Sequence, residues 1–178
     1  MSFTLYNQET SPEAASAELE SSIKSFGFIP NLHGVLAEAP TVLSAYKRLH
    51  EFFQQSSFSN EELTVVWQTV NVENECSYCI PAHTGIAHMM KIDPAIIDAL
   101  NNNETLPSAK LQALKDTTLA LLRKRGRLDA SEVERFKAAG YGNQQLLEII
   151  LGIAQKTISN YTNHLADTPV DEPFKQFV

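Results

Sequence analysis

Glu73-Asn-Glu-Cys-Ser-Tyr-Cys-Ile-Pro-Ala-His83 holds both cysteines of the 178-residue chain, Cys76 and Cys79, in a C-x-x-C spacing. His83 follows four residues after the second. At about 100° per residue on a helix the three side chains fall within about 60° of one another, so two thiols and an imidazole would share one stripe. A C-x-x-C disulfide closes a very short loop and removes little entropy from the unfolded chain, which makes it a poor staple. It suits redox chemistry better, because C-x-x-C contexts and helix N-termini depress a thiol's pKa and the thiolate is the nucleophile. Pro81 costs ~3 kcal/mol inside a helix unless it lies in the first turn. A regular helix starting near Ser77 or Tyr78 resolves this and puts both sulfurs at the positive end of the dipole. Two other readings compete: an inert buried pair, and a zinc site completed by His88. His88 lies about 140° around the helix from His83, the wrong face for a shared metal.

Outward from this stretch the chain reads as helices. Ser59-Asn-Glu-Glu62 matches the S-x-x-E capping box, and Leu63, Val66, Trp67 and Val70 then carry one face of a helix to about Asn74. Further upstream, Pro40 opens a helix with Val42, Leu43, Tyr46, Leu49, Phe52 and Phe53 at helical spacing. Ser11-Pro12-Glu13 starts a helix that stops at Gly27, and Phe28-Ile-Pro-Asn31 turns into a short segment from Leu32 to Glu38. Downstream, Asp93-Pro94, Pro107-Ser108 and Asp129-Ala-Ser-Glu132 open three more, the last two closed by Gly126 and Gly140. A long helix from Asn143 to about Leu165 is expected to turn Leu146, Leu147, Ile150, Ile153, Ala154, Thr157 and Ile158 inward. Val170 to Val178 is a tail available to pack on a neighbour. No segment alternates apolar and polar residues, so residues 1–178 are predicted to form one all-α domain of seven or eight helices.

Composition narrows the function. Apolar residues at 43 % and charged residues at 20 % describe a globular chain, and the net charge of −7 argues against nucleic acid or an anionic membrane as partner. The one basic cluster, Arg123-Lys-Arg-Gly-Arg127, sits where a helix should end and complements its dipole. No apolar run reaches the ~18 residues a membrane span requires, and Met1 to Glu9 has no signal-peptide pattern. Two cysteines beside a histidine fit a reducing cytoplasm better than a secreted disulfide framework. Cys79, four residues before His83, is expected to give its proton to that ring. Cys76, a turn earlier, is expected to be more open to solvent and to a reductant. Tyr78, between them, could line a pocket, while His33, His50 and His164 read as surface or hydrogen-bonding residues.

Cys76-Ser-Tyr-Cys79 with Ala82-His83 resembles the C-x-x-C-x-x-x-H core of the alkylhydroperoxidase D-like, or carboxymuconolactone decarboxylase, family. Phe26-Gly-Phe-Ile-Pro-Asn31 and Asn160-Tyr-Thr-Asn-His-Leu165 are similar to flanking stretches of one subgroup. The resemblance implies an all-helical domain assembling into trimers or hexamers, with no bound metal, flavin or other cofactor. It implies a thiol peroxidase in which Cys79 attacks a small peroxide, Cys76 resolves the sulfenic acid and His83 moves a proton. A dihydrolipoyl- or thioredoxin-like dithiol would be the reductant. The family often carries a glutamate twelve residues before the first cysteine; Thr64 stands there, and Glu73, Glu75 and Glu148 are the candidates to replace it in a proton relay. A decarboxylase-like lyase, which needs no cysteine pair, and a non-catalytic redox sensor are the alternatives.

Overall fold

A computed structural model describes residues 3–178. Among the described residues nine α-helices follow one another: α1 (Glu13–Phe26), α2 (Asn31–Leu36), α3 (Pro40–Gln54), α4 (Asn60–Glu73), α5 (Cys79–Met89), α6 (Pro94–Asn101), α7 (Ala109–Arg123), α8 (Ala130–Ala138) and α9 (Asn143–Ala166). A 3-10 turn, Glu172–Phe177, closes the chain, and no strand occurs among the described residues. No helix among them is long and apolar enough to cross a membrane.

The middle of the bundle is α4. Ser59 caps it: the Ser59 hydroxyl accepts from the Glu62 N–H, and the Glu62 carboxylate accepts from the Ser59 N–H at 2.8 Å. Residues 62–71 are all buried, because α5, α6, α7 and α9 pack around this helix. On one flank Phe53, Val66, Trp67, Leu114, Leu121, Phe136 and Ile149 form an apolar core. On the other, Leu19, Leu32, Leu43 and Tyr46 gather around Cys76, Tyr78, Cys79 and Phe174. Gly152 lets α9 come close: a Cβ there would lie 2.9 Å from the Phe53 ring and from Val66 Cγ1.

The redox helix begins where expected to within a residue, at Cys79 after the N-cap Tyr78, with Pro81 third, inside its first turn, and Cys76 in the turn just before it. Two expectations are corrected. The C-terminal tail packs on its own chain. Phe174 is buried against α5, so close that a Cβ on Gly85 would sit 2.5 Å from its ring. On α9, Leu146, Ile153, Thr157 and Ile158 are partly buried as expected, but Leu147 and Ile150 are 69 % and 48 % exposed and Ala154 is exposed; beyond Ile149 and Gly152 the buried face carries Gln155, Lys156, Ser159, Asn160 and Asn163. Periodicity locates an apolar stripe, and here only one edge of it meets the bundle, beside a buried polar stripe.

Candidate redox site

Both cysteines are free thiols and both are buried, Cys76 at 0 % and Cys79 at 1 % exposure. The expectation that Cys76 is the more open of the two is therefore corrected: it is sealed in the turn, while Cys79 helps wall a cavity of about 710 Å³. Tyr46, Trp67, Tyr78, His83, Lys156 and Phe174 share that wall. Cys76 Sγ accepts a hydrogen bond from the Cys79 N–H at 3.3 Å, as a group at a helix N-terminus does.

The environment splits the two thiols. Burial alone would push Cys79 up. A hydrogen bond from Cys76, the charge of Lys156 and the side-chain amides of Asn163 and Asn160 outweigh it and hold Cys79 at about 5. Asn163 Nδ2 donates to Cys79 Sγ at 3.2 Å. Cys76 is pushed the other way, by its hydrogen bond to Cys79 and by burial. The pair thus offers one thiolate facing the cavity and one thiol behind it.

An amide chain fixes the start of α5. Gln68 Nε2 donates to the Ile80 carbonyl at 3.1 Å, Asn71 Nδ2 to Gln68 Oε1 at 3.0 Å, and Asn160 Nδ2 to Asn71 Oδ1 at 3.0 Å. These buried groups are mutually satisfied, which ties α4, α5 and α9 into one register around the sulfurs. Tyr78 lines the cavity and donates its hydroxyl to Asp171 Oδ2 at 2.5 Å, while Asp171 Oδ1 accepts from the Asn31 N–H. The residue between the cysteines is thereby clasped to the segment after α9 and, through Asp171, to the start of α2.

His83 is buried and does reach the cavity, but its Nε2 meets Lys156 Nζ at 2.9 Å. An ammonium can only donate, so Nε2 accepts and the ring proton sits on Nδ1. Burial, then the charges of Lys156 and His50, keep His83 well below its usual pKa and neutral. Glu73, Glu75 and Glu148 are not brought to the site, which corrects them as relay candidates. Glu73 forms a two-point pair with Arg123 at 2.6 Å, Glu75 is exposed, and Glu148 accepts from Ser57. Thr64 is buried and donates to the Asn60 carbonyl at 2.9 Å.

Sequence reading missed Lys156, Asn160, Asn163 and His50. The first three stand at i, i+4 and i+7, one helical stripe, so a signal was present; the apolar stripe beside them masked it. His50, read as a surface or hydrogen-bonding residue, stacks on Trp67 at 5.3 Å inside the cavity wall, and its Nδ1 is buried with no protein partner. Among the described residues no three His, Cys, Asp or Glu side chains cluster as metal ligands would.

No protein-family model matches the sequence, and no curated protein sequence matches it either. The backbone is more telling. A peroxidase-related protein from Ralstonia eutropha with the alkylhydroperoxidase AhpD core superposes with a TM-score of 0.85 at 18 % identity, over 97 % of this chain and 93 % of that one. A peroxidase-related protein from a Silicibacter species gives 0.82 at 17 % identity over 96 % and 93 %. The debrominase Bmp8, solved with a bound tribromopyrrole, gives 0.76 at 16 % identity over 97 % and 93 %. The likeness spans nearly the whole of each chain, and it establishes that this chain has the all-helical fold of the alkylhydroperoxidase AhpD core.

Proposed function

We propose that the chain is a thiol-dependent peroxidase that reduces a small organic peroxide at Cys79 and is recycled by a dithiol donor of the dihydrolipoyl or thioredoxin kind. The observation that carries this reading is the asymmetry of the pair: a stabilised thiolate at the cavity wall and a protonated thiol behind it. The Cys79 thiolate attacks one peroxide oxygen, the O–O bond breaks, and an alkoxide leaves to take up a proton. Cys76 then displaces water from the Cys79 sulfenic acid, forming the disulfide. His83, held neutral beside Lys156, orients the ammonium toward the reacting end. A dithiol reduces the disulfide, as the reducing conditions of a cytoplasm would favour. Steady consumption of cumene hydroperoxide with dithiothreitol supports the reading. One slow stoichiometric oxidation would instead indicate a redox sensor.

A second reading, removal of a halogen from an aromatic ring, is favoured by the rings of Tyr46, Trp67 and Phe174 around Cys79, a shape that suits a flat substrate. Bromide release from tribromopyrrole in the presence of dithiothreitol, with no peroxide consumption, would select it.

We further propose that a second copy of this chain covers the exposed apolar residues of α3 and α9, helices that pack side by side. Val42 and Phe52 on the first, and Leu147, Ile150, Tyr161 and Leu165 on the second, leave more apolar surface in water than single scattered residues do. A trimer or hexamer by light scattering is expected; a monomeric mass at micromolar concentration removes the proposal.

A further inference from the structure

Lys156 is 1 % exposed, and among the described residues none of the ion pairs includes it. A buried ammonium without an anion is costly, so a lysine in such a place either meets a negative charge or gives up its proton. The titratable groups around it are few. The preceding turn and α5 bring Cys76, Tyr78, Cys79 and His83, and α3 brings Tyr46 and His50. The uncharged Trp67 comes from α4, and His33 of α2 donates to or accepts from Ser22. The carboxylates of the cavity, Glu18 and Glu51, belong to its half-exposed rim and pair with Lys47 and Arg48. Asp171 is taken by Tyr78 and Asn31. The anion available to Lys156 is therefore sulfur.

We propose that Lys156 stores the proton of the Cys79 thiol, as an ammonium while that sulfur is a thiolate and as a neutral amine once the Cys76–Cys79 disulfide has formed. The inference rests on the reading of the pair as a redox dithiol. It makes Lys156 the proton-transfer residue that stands where an acidic relay residue is lacking.

The atoms balance without solvent protons. The thiolate attacks the peroxide, sulfur is oxidised to sulfenic acid, and the leaving alkoxide takes a proton from Lys156, which becomes an amine. The Cys76 thiol passes its proton through the amine to the departing hydroxide, sulfur–sulfur bonding completes, and water leaves. The products are disulfide, neutral Lys156, alcohol and water. Reduction by a dithiol delivers two protons, one to Cys76 and one back to Lys156. His83, hydrogen-bonded to Nζ, holds the amine in place in both states.

The experiment reads two quantities on the unaltered protein near neutral pH: thiolate absorbance at about 240 nm, and protons exchanged with a weakly buffered indicator solution as diamide, which takes up two electrons and two hydrogens to become its hydrazine, converts the dithiol to the disulfide. The expected result is a thiolate in the reduced protein and no net proton uptake as the disulfide forms. Thiolate present with one proton taken up per disulfide overturns the proposal, since Lys156 then keeps its charge. Absence of thiolate overturns it as well. Failure to form any disulfide removes both this inference and the dithiol reading, whereas failure to consume peroxide touches the peroxidase reading alone. Lys156→Met, checked for folding by circular dichroism, should lose the neutral-pH thiolate absorbance; unchanged absorbance in a folded variant also overturns the proposal.

Discussion

Helices α7 and α9 both pack on α4, and they meet it with different chemistry. On its buried face α7 turns Leu111, Leu114 and Leu121 inward, and its one buried cation, Lys115, ends on the Glu104 carbonyl at 2.7 Å. On α9 the buried face begins with Ile149 and Gly152 but then carries Gln155, Lys156, Ser159, Asn160 and Asn163, while Leu147 and Leu165 stand about 70 % exposed. One helix is held by removing apolar area from water, at about 25 cal/mol per Å². The other adds to the apolar contacts of Ile149 and Gly152 a set of hydrogen bonds that are individually worth about 1 kcal/mol net but strict in geometry. The difference teaches that α7 builds the fold and α9 builds the site, with α9's apolar side left for another surface.

The largest effects should come where α9 serves the sulfurs. Cys79→Ser should abolish peroxide consumption, while Cys76→Ser should react once and leave a sulfenic acid that a dimedone probe traps. An adduct on the Cys79→Ser protein and none on Cys76→Ser would reverse the assignment. Next comes Lys156→Met, expected to slow the first reaction with peroxide near neutral pH by roughly 10²-fold, within the usual reach of acid–base assistance. Its urea stability should fall by less than about 1 kcal/mol or even rise, because an apolar group replaces a buried charge. A large loss of stability with full activity would make α9 a purely structural helix like α7.

Gly152→Ala tests the close approach that lets α9 reach α4. It should cost about 1–3 kcal/mol in urea unfolding through overpacking on Phe53 and Val66. A fall of comparable size is expected from acid. Burial, aided by Lys47 and His50, holds His33 at about 3; burial and Lys156 hold His50 at about 4. Both are depressed below the unfolded value of about 6.5, so the unfolded chain binds more protons, and stability present above that pH is lost progressively toward 4 and then 3. The urea midpoint should drop between about pH 7 and about pH 5.5, and His33→Gln should flatten that drop. The smallest effect on the protomer belongs to the outer face: Leu147→Gln should change its stability by no more than about 0.5 kcal/mol, yet lower the mass seen by light scattering.

Much of the architecture was legible in the chain because helix ends are local. Ser59 with Glu62, Asp93, Ser108, and Asp129 with Glu132 all cap where the residues said they would, and Gly27 takes the left-handed conformation that ends α1. Nine helices among the described residues, rather than seven or eight, reflect only that the short α2 and α6 are complete turns. The C-x-x-C and His83 were likewise visible, because their spacing alone puts chemistry on one segment. What the sequence could not carry was which side of α9 faces in. Its apolar and polar stripes run side by side, and periodicity measures a stripe without saying what it meets. Tertiary structure decided it: Cys79, Asn71 and His83 arrive from other helices and require partners with hydrogen-bond donors, which Asn163, Asn160 and Lys156 supply. The same packing took Glu73 to Arg123 and Glu148 to Ser57, so that the charge nearest the sulfurs is a buried cation.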